Sequence, residues 1–488
     1  MRGKSKVKGI TAHLHIGGGE TGSTLGGRKI RHSAPGTERL VIPRKALVVG
    51  MGISGRSVCR LLSRRGVQVV ATDLRPREAF NGTLDDLEAN GCVLRLGGHN
   101  PEDFLDADQI IVSPGVPLDL DPLVQARKRN IEIMGELEWA WLQTETPVVA
   151  VTGTNGKTTT TALIGQMVKA SGKHAFVGGN IGTPLSEWLL QEDEADLLVL
   201  EVSSFQLDTA SRFNPEVGVL LNVTEDHLDR YSNFAAYANS KFSLFARQQN
   251  EHVAILNGDD PLCRERAGFM RGRVLLYSRA EGSVSARMDG RFAEVKIPWL
   301  GSFSLDLGSS PLKGAHNEEN ILAAALASAV VGVSPAAMQG VIDVFQGLPH
   351  RVEWVRTWKG IEFFDDSKGT NVGAVVKALE NFDRPVLLLM GGRDKEGSYA
   401  PLKGISRART KGIFAFGEAA ARLEKELAPV IPTRSFPDLE KAFEAAMDRA
   451  QPGEVVLLSP ACSSFDQYES YARRGDHFKN LVRALPEP

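Results

Sequence analysis

Long hydrophobic runs are missing from this 488-residue sequence. The longest apolar stretches, around Pro385 to Met390 and Glu454 to Leu458, suit buried strands and fall far short of a membrane span. Cysteine is scarce: Cys59, Cys92, Cys263 and Cys462 are scattered, form no C-x-x-C pair and suggest a reducing compartment. Cys462 has no identifiable activating base beside it and reads as a small buried thiol, not a nucleophile. Neither sign of charge is in excess. The formal net charge is -2, so no overall field recruits nucleic acid or an acidic membrane. No signal-peptide h-region opens the chain, and the expectation is a soluble cytoplasmic protein.

The composition that remains is ordinary for a globular chain, 42% hydrophobic and 24% charged, and the length exceeds what one core supports. Three domains are expected, at 44–145, 146–346 and 347–488. Residues 1–43 differ: rich in Gly, Ser and Thr, more basic than acidic and without apolar periodicity, they read as a disordered tail or an over-extended start.

The stretch around which the chain is organised runs from Pro147 to Thr161. A strand, Val148 to Val151, opens into Thr152-Gly-Thr-Asn-Gly-Lys-Thr158 and then a helix, Ala162 to Val168. Glycines let backbone N–H groups approach phosphate oxygens, and a helix N-terminus adds partial positive charge. Lys157 can reach the outer phosphates and Thr158 can ligate Mg²⁺. Gly153, Thr154, Asn155, Gly156 and Thr159 complete an ATP loop of irregular spacing, since Val151 stands where a first glycine is usual. Upstream, Lys45 to Val49 runs into Gly50-Met-Gly52-Ile-Ser-Gly55, a G-x-G-x-x-G turn that binds a diphosphate whatever is attached to it. Asp73 ends the next strand where a Rossmann fold places its ribose-reading acid. Ser113-Pro-Gly-Val-Pro117 follows another strand and faces a ligand crevice on the same logic.

Two buried strands of the middle domain deliver polar groups at their carboxyl ends: Leu197 to Leu200 ends at Glu201, and Val217 to Leu221 leads to Glu225, Asp226 and His227. Glu201 and His227 suit a hard cation of the Mg²⁺-ATP type. Before both strands, Val177-Gly-Gly-Asn180-Ile-Gly182-Thr-Pro184 reads as a glycine-rich turn. Lys241, on a mostly apolar helix, is by pattern an ordinary lysine, and Asn317 suits either the cap of an alanine-rich helix or a nucleotide contact near that helix's N-terminus. In the third domain, strands near Gly360–Phe364, Pro385–Met390 and Val455–Leu458 each end in a polar cluster, at Asp365 to Asn371, Gly391 to Lys395 and Ser459 to Gln467. Three strands of one parallel sheet presenting Lys, Ser and Thr on one rim suit a small anionic substrate.

These motifs together resemble the Mur ligases of peptidoglycan synthesis. The resemblance rests on the Thr152–Thr158 loop, Glu201-Val-Ser-Ser-Phe-Gln206, Asn222-Val-Thr-Glu-Asp-His227, His316-Asn317 and Asp366-Ser-Lys-Gly-Thr-Asn371. Ser459 to Tyr468, with Tyr471 and Arg474-Gly475, is similar to the C-terminal signature of the branch that adds D-glutamate. It implies an α/β protein of three domains: a Rossmann-like N-terminal domain, a central P-loop ATPase-like domain with a mainly parallel sheet, and a C-terminal Rossmann-like domain. It implies an ATP-dependent amide ligase whose partners are UDP-N-acetylmuramoyl-L-alanine, D-glutamate and ATP with Mg²⁺, working as a monomer. Ser54, Arg75, Ser113 and Asn180 would hold the UDP-substrate. Asn317, Asn320, Arg351 and Asp366 would join the ATP site, and Lys368, Thr370, Lys395, Ser464 and Tyr471 would hold D-glutamate. Lys241 falls where the family carries a carbamylated lysine, which would place it with Thr158, Glu201 and His227 around the metal. Tyr471 departs from a position often phenylalanine, and Gly369 from one often alanine.

Other readings compete with it. The uridine-type domain argues against a folylpolyglutamate synthase, and the D-N-P-R signature of diamino-acid ligases is missing from the third domain. An NAD-linked oxidoreductase rests on Gly50 to Gly55 alone and leaves Lys157 unexplained. A P-loop switch or binding module explains Lys157 but not the substrate loops of the third domain.

Overall fold

The computed structural model describes residues 42–486, apart from Asn81, Asp229, Glu281, 395–397 and 405–408, together with a short antiparallel pair, Thr24–Leu25 against Arg28–Lys29. The expected disordered extension therefore lies largely outside the described residues, as does Lys395. Among the described residues no helix is long and apolar enough to cross a membrane.

The first sheet has five parallel strands: β1 (Lys45–Val49), β2 (Gln68–Asp73), β3 (Val93–Leu96), β4 (Gln109–Val112) and β5 (Glu132–Gly135), in the order β3-β2-β1-β4-β5. Helix α1 (Ile53–Arg64) leaves the glycine turn after β1, and α2 (Glu136–Trp141) follows β5. The switch of order between β2 and β4 puts the ends of β1, β2 and β4 around one crevice, the usual ligand position in an open α/β sheet.

The second sheet takes β6 (Val148–Thr152), β7 (Ala175–Gly179), β8 (Leu197–Glu201), β9 (Val217–Leu220), β10 (Val253–Asn257), β11 (Arg273–Ser278), β12 (Ala286–Asp289), β13 (Phe292–Ile297) and β14 (Gly301–Asp306). Their order is β14-β13-β12-β11-β10-β9-β6-β8-β7, parallel from β7 to β12 and antiparallel beyond. β6, β8, β9 and β10 are buried throughout, as continuous Val, Leu and Ile runs require when helices cover both faces. α3 (Lys157–Ala170) and the alanine-rich α5 (Ala315–Val330) pack on one face, and α4 (Phe234–Phe242) lies on the other. The turn read at Val177–Pro184 begins later than expected. Val177 to Gly179 belong to β7, an edge strand bonded on one side only, where glycines are tolerated.

The third sheet orders β15 (Glu353–Trp358), β16 (Ile361–Asp365), β17 (Val386–Gly391), β18 (Thr410–Phe416), β19 (Thr433–Phe436) and β20 (Val455–Ala461) as β15-β16-β20-β17-β18-β19. Only β15 is antiparallel. β16, β20 and β17, the three strands expected to share a rim, are adjacent. α6 (Val372–Leu379) and α7 (Tyr471–Arg483) follow the polar clusters at the ends of this sheet.

Candidate active site

The loop between β6 and α3 closes on itself before any partner is considered. Gly156 takes φ +86°, and a Cβ there would stand 2.3 Å from the Asn320 Oδ1, so only glycine fits. No side chain caps α3, which leaves its first-turn N–H groups pointing into the loop. Asn222 Oδ1 accepts from the Asn155 N–H at 2.8 Å, and Asn222 Nδ2 donates to the Asn155 carbonyl at 3.1 Å, so the end of β9 fixes the loop's shape.

Two lysines meet on this loop. Lys157 Nζ donates to the Gly153 and Thr154 carbonyls at 2.9 and 2.8 Å, and Lys241 Nζ donates to the same Gly153 carbonyl at 2.9 Å. Lys241 is 2% exposed, and its ammonium is held well below the usual lysine range by burial and then by the Lys157 charge. Asp226, Asp208 and Glu201 pull the other way. Glu201 is also buried: Asn180 Nδ2 donates to its Oε1 at 2.9 Å, while Oε2 has no hydrogen-bond partner. A buried carboxylate oxygen left open beside a phosphate-type loop fits a hard divalent cation. His227 takes φ +55°, its ring Nε2 lies 3.6 Å from Asp226 Oδ2, and Phe205 packs on the ring at 4.8 Å.

The third segment reaches the loop at two points. Arg351 donates to the Thr158 hydroxyl. Burial lowers the Arg351 pKa, while Glu201 and Asp366 sustain its charge. Asn371 Nδ2 donates to Asn155 Oδ1 at 3.2 Å and to Asp226 Oδ2 at 3.1 Å. Asp366 lies beneath, buried, accepting from the Ser459 hydroxyl at 2.7 Å, with its pKa pushed up by burial to about 7. A cavity of about 540 Å³ opens between these parts, lined among others by Asn155, Thr159, Asn317, Asn320, Arg351 and Lys368. Lys157, Glu201 and Lys241 are not among its lining residues. Asn320 touches the loop through the Thr160 hydroxyl at 3.2 Å. Asn317 is not the cap of α5: that helix starts at Ala315 after Gly314 at φ +93°, and Asn317 Nδ2 donates to the Lys313 carbonyl from the first turn.

The residues expected to hold two further ligands gather in separate places. Around the glycine turn of β1, the Ser113 hydroxyl donates to the Gly50 carbonyl at 2.7 Å, Ser54 is half-exposed at the start of α1, and Arg75 pairs with Asp73 at 2.8 Å. Asp73 also accepts from the Met51 N–H at 2.7 Å. Burial alone would raise its pKa, but the Arg75 and backbone hydrogen bonds outweigh it and hold the carboxyl at about 2. Asn180 is not in this group but at Glu201. On the third sheet, Lys368 Nζ lies 4.0 Å over the Tyr471 ring, Thr370 is half-buried beside it and Ser464 is buried. These loops are tied together by Arg474, wholly buried, which donates to Ser367, Gly391, Cys462 and Ser463. Sequence reasoning gave no role to Asn222, Asn371 or Arg474. Each lies inside a polar cluster already noticed, but its partner is distant in the chain.

Residues 44–135 match the Mur ligase MurD-like N-terminal domain, 151–328 the Mur ligase middle domain and 350–462 the Mur ligase glutamate ligase domain. A UDP-N-acetylmuramoylalanine--D-glutamate ligase of Geotalea daltonii is 43% identical over 447 residues, 91% of this chain and 98% of that one. A protein of the same name from Desulfosudis oleivorans is 44% identical over 449 residues, 91% and 97% of the two chains. Among solved structures, the UDP-N-acetylmuramate-alanine ligase MurC of Thermotoga maritima superposes with a TM-score of 0.54 at 17% identity, covering 90% of this chain and 100% of its own. The MurF ligase of the same organism, in complex with ADP, gives 0.55 at 19% identity over 86% and 96%. The fold is theirs, the sequence similarity runs nearly end to end, and the chain belongs to the Mur ligase family.

Proposed function

We propose that this protein joins D-glutamate to UDP-N-acetylmuramoyl-L-alanine with consumption of ATP, in the cytoplasmic stage of peptidoglycan synthesis, as a monomer with units at 44–145, 146–346 and 347–488. The reaction has two stages. The L-alanyl carboxylate takes the γ-phosphoryl group of ATP, releasing ADP, and the D-glutamate amine then displaces phosphate from the acyl-phosphate to form the amide. The observation that carries this reading is the convergence of the Gly153–Thr158 loop, the open oxygen of Glu201 and Arg351 of the third segment beside one cavity.

Each group suits a part of that chemistry. Phosphoryl transfer to a carboxylate needs alignment and neutralised charge more than covalent help. Lys157 and the bare N-terminus of α3 supply fixed positive charge for the phosphates, with Gly153, Thr154, Asn155, Gly156 and Thr159 shaping the loop. Asn317, Asn320, Arg351 and Asp366 hold the nucleoside side. Thr158, Glu201 and His227 would hold magnesium, which when bound would screen the charge between ATP and the acceptor carboxylate. Lys241 is buried and favours its neutral amine, the form that adds to CO₂ to give a carbamate and a released proton; a carbamylated Lys241 would add an anionic ligand to that group. Ser54, Arg75, Ser113 and Asn180 orient the UDP-substrate, and the anionic Asp73 joins them by fixing the glycine turn. Lys368, Thr370, Lys395, Ser464 and Tyr471 hold D-glutamate.

Two experiments test this reading. Phosphate release from ATP in the presence of UDP-N-acetylmuramoyl-L-alanine should be stimulated by D-glutamate and not by L-glutamate, lysine or diaminopimelate; absence of D-glutamate stimulation contradicts the substrate assignment. Lys241→Ala should abolish activity, with partial recovery on adding short carboxylic acids, whereas an unimpaired variant would sink the carbamate.

A further inference from the structure

Arg230 is a cation of the middle segment that reaches the first segment beside its ligand crevice. Arg230, in the turn after His227, donates from its two terminal nitrogens to the Gly115 carbonyl at 3.1 Å and the Val116 carbonyl at 2.6 Å. Those carbonyls belong to the loop after β4. The same loop grips the glycine turn, through the Ser113 hydroxyl on the Gly50 carbonyl and through Val116, whose methyl would stand 2.8 Å from any Cβ at Gly50. On its other side the guanidinium lies 4.4 Å over the Phe205 ring, and Phe205 meets the His227 ring edgewise at 4.8 Å. The Arg230 N–H also donates to the His227 carbonyl at 3.0 Å, closing the turn in which His227 holds φ +55°. A non-glycine residue at positive φ persists only where its surroundings impose it.

From these contacts we infer that Arg230 is a positioning residue which couples the glycine turn of the first segment to the orientation of His227, so that occupancy of the UDP-substrate crevice and of the phosphate loop reinforce each other. The inference rests on the functional reading above. A planar guanidinium can bridge two carbonyls and stack on a ring at once; a lysine ammonium can do only part of this. Movement of the 113–117 loop on substrate binding is thereby felt at Phe205 and at the His227 turn through one rigid group. By linkage the effect is reciprocal: whatever one ligand does to the affinity of the other is returned by the same factor.

The test is binding of Mg²⁺-ADP to the full-length protein by calorimetry, with and without saturating UDP-N-acetylmuramoyl-L-alanine. Wild type should bind Mg²⁺-ADP several-fold more tightly when the UDP-substrate is present, on the order of fivefold or more. Arg230→Ala should bring that factor close to one while either ligand alone still binds, and should cut kcat/KM for the UDP-substrate by about tenfold with a smaller change in KM for ATP. Arg230→Lys, which keeps a cation and an aliphatic stem, and Phe205→Leu, which removes only the stacked ring, are milder changes that should give intermediate factors and stand in if the alanine variant does not fold. An unchanged coupling factor in all three variants, or a wild-type factor near one, overturns the inference. Wild-type protein that releases no phosphate with UDP-N-acetylmuramoyl-L-alanine and D-glutamate refutes the underlying function instead.

Discussion

The middle segment meets its two neighbours in opposite ways. Toward the first sheet the seam is apolar and closed. Leu137, Ala140 and Trp141 of α2 share a core with Leu185 and Phe213 of the middle segment, and Trp139 shares one with Leu190. Buried carboxylates stitch it: Glu138 accepts from the backbone N–H groups of Arg212 and Phe213, and Glu136 accepts from that of Ser186 at 2.7 Å. Toward the third sheet, among the described residues, no hydrophobic cluster crosses. That seam includes the polar contacts of Asn155, Asn371, Asp226, Thr158 and Arg351 around a cavity. The contrast teaches which boundary is structural and which is completed by ligands. An apolar seam persists without occupants, whereas a polar seam around a void gains most of its free energy from what fills it.

Mutations can break or sharpen this contrast. The largest effect is expected at the phosphate loop. Lys157→Ala should lower kcat by about a hundredfold or more, as loss of a fixed cation at a transferring phosphoryl group does elsewhere. Its thermal unfolding should stay near wild type, since the lysine donates to the Gly153 and Thr154 carbonyls of its own loop. At the closed seam, Glu138→Ala strands two backbone N–H groups and should cost about 2–4 kcal/mol in chemical denaturation. At the open seam, Asn371→Ala also removes the N-cap of α6, where the side chain accepts from the Ala374 N–H at 2.8 Å, so it should cost about 1 kcal/mol of stability yet reduce turnover at least about tenfold. Equal stability losses at Glu138 and Asn371 would erase the distinction.

The smallest effect concerns pH. Asp366 titrates near 3.8 in an unfolded chain and at about 7 in the fold, so the folded state holds the proton more tightly. Its contribution to stability is fully present below 3.8 and is lost as pH rises toward 7 and beyond. Asp366→Asn should therefore flatten the decline in denaturation free energy between pH 5 and 8, read against wild type at each pH. An unchanged slope would mean the carboxyl is ionised throughout.

What the sequence revealed follows the range of each interaction. The glycine turn and the phosphate loop were legible because backbone approach to an anion demands glycine at fixed spacing, a requirement local to a few residues. Asn155 was read as a loop residue, but its engagement by Asn222 and Asn371 was not, because those contacts join positions far apart in the chain. Lys241 looked ordinary on an apolar helix; only the fold brings it to the Gly153 carbonyl beside Lys157. Arg474 could be seen as part of a motif, yet its work as a buried clamp on three loop ends needed the third sheet to be assembled. Asn317 suited either a cap or a nucleotide contact; Gly314 at positive φ lets the helix begin earlier, which removes the cap reading.

The central claim is that the γ-phosphoryl group passes to the L-alanyl carboxylate. It is tested most directly with UDP-N-acetylmuramoyl-L-alanine carrying ¹⁸O in that carboxyl group, incubated with ATP and D-glutamate, and mass analysis of the phosphate released. Transfer through an acyl-phosphate places one labelled oxygen in each phosphate formed with product. Unlabelled phosphate, or label recovered in AMP, would contradict it.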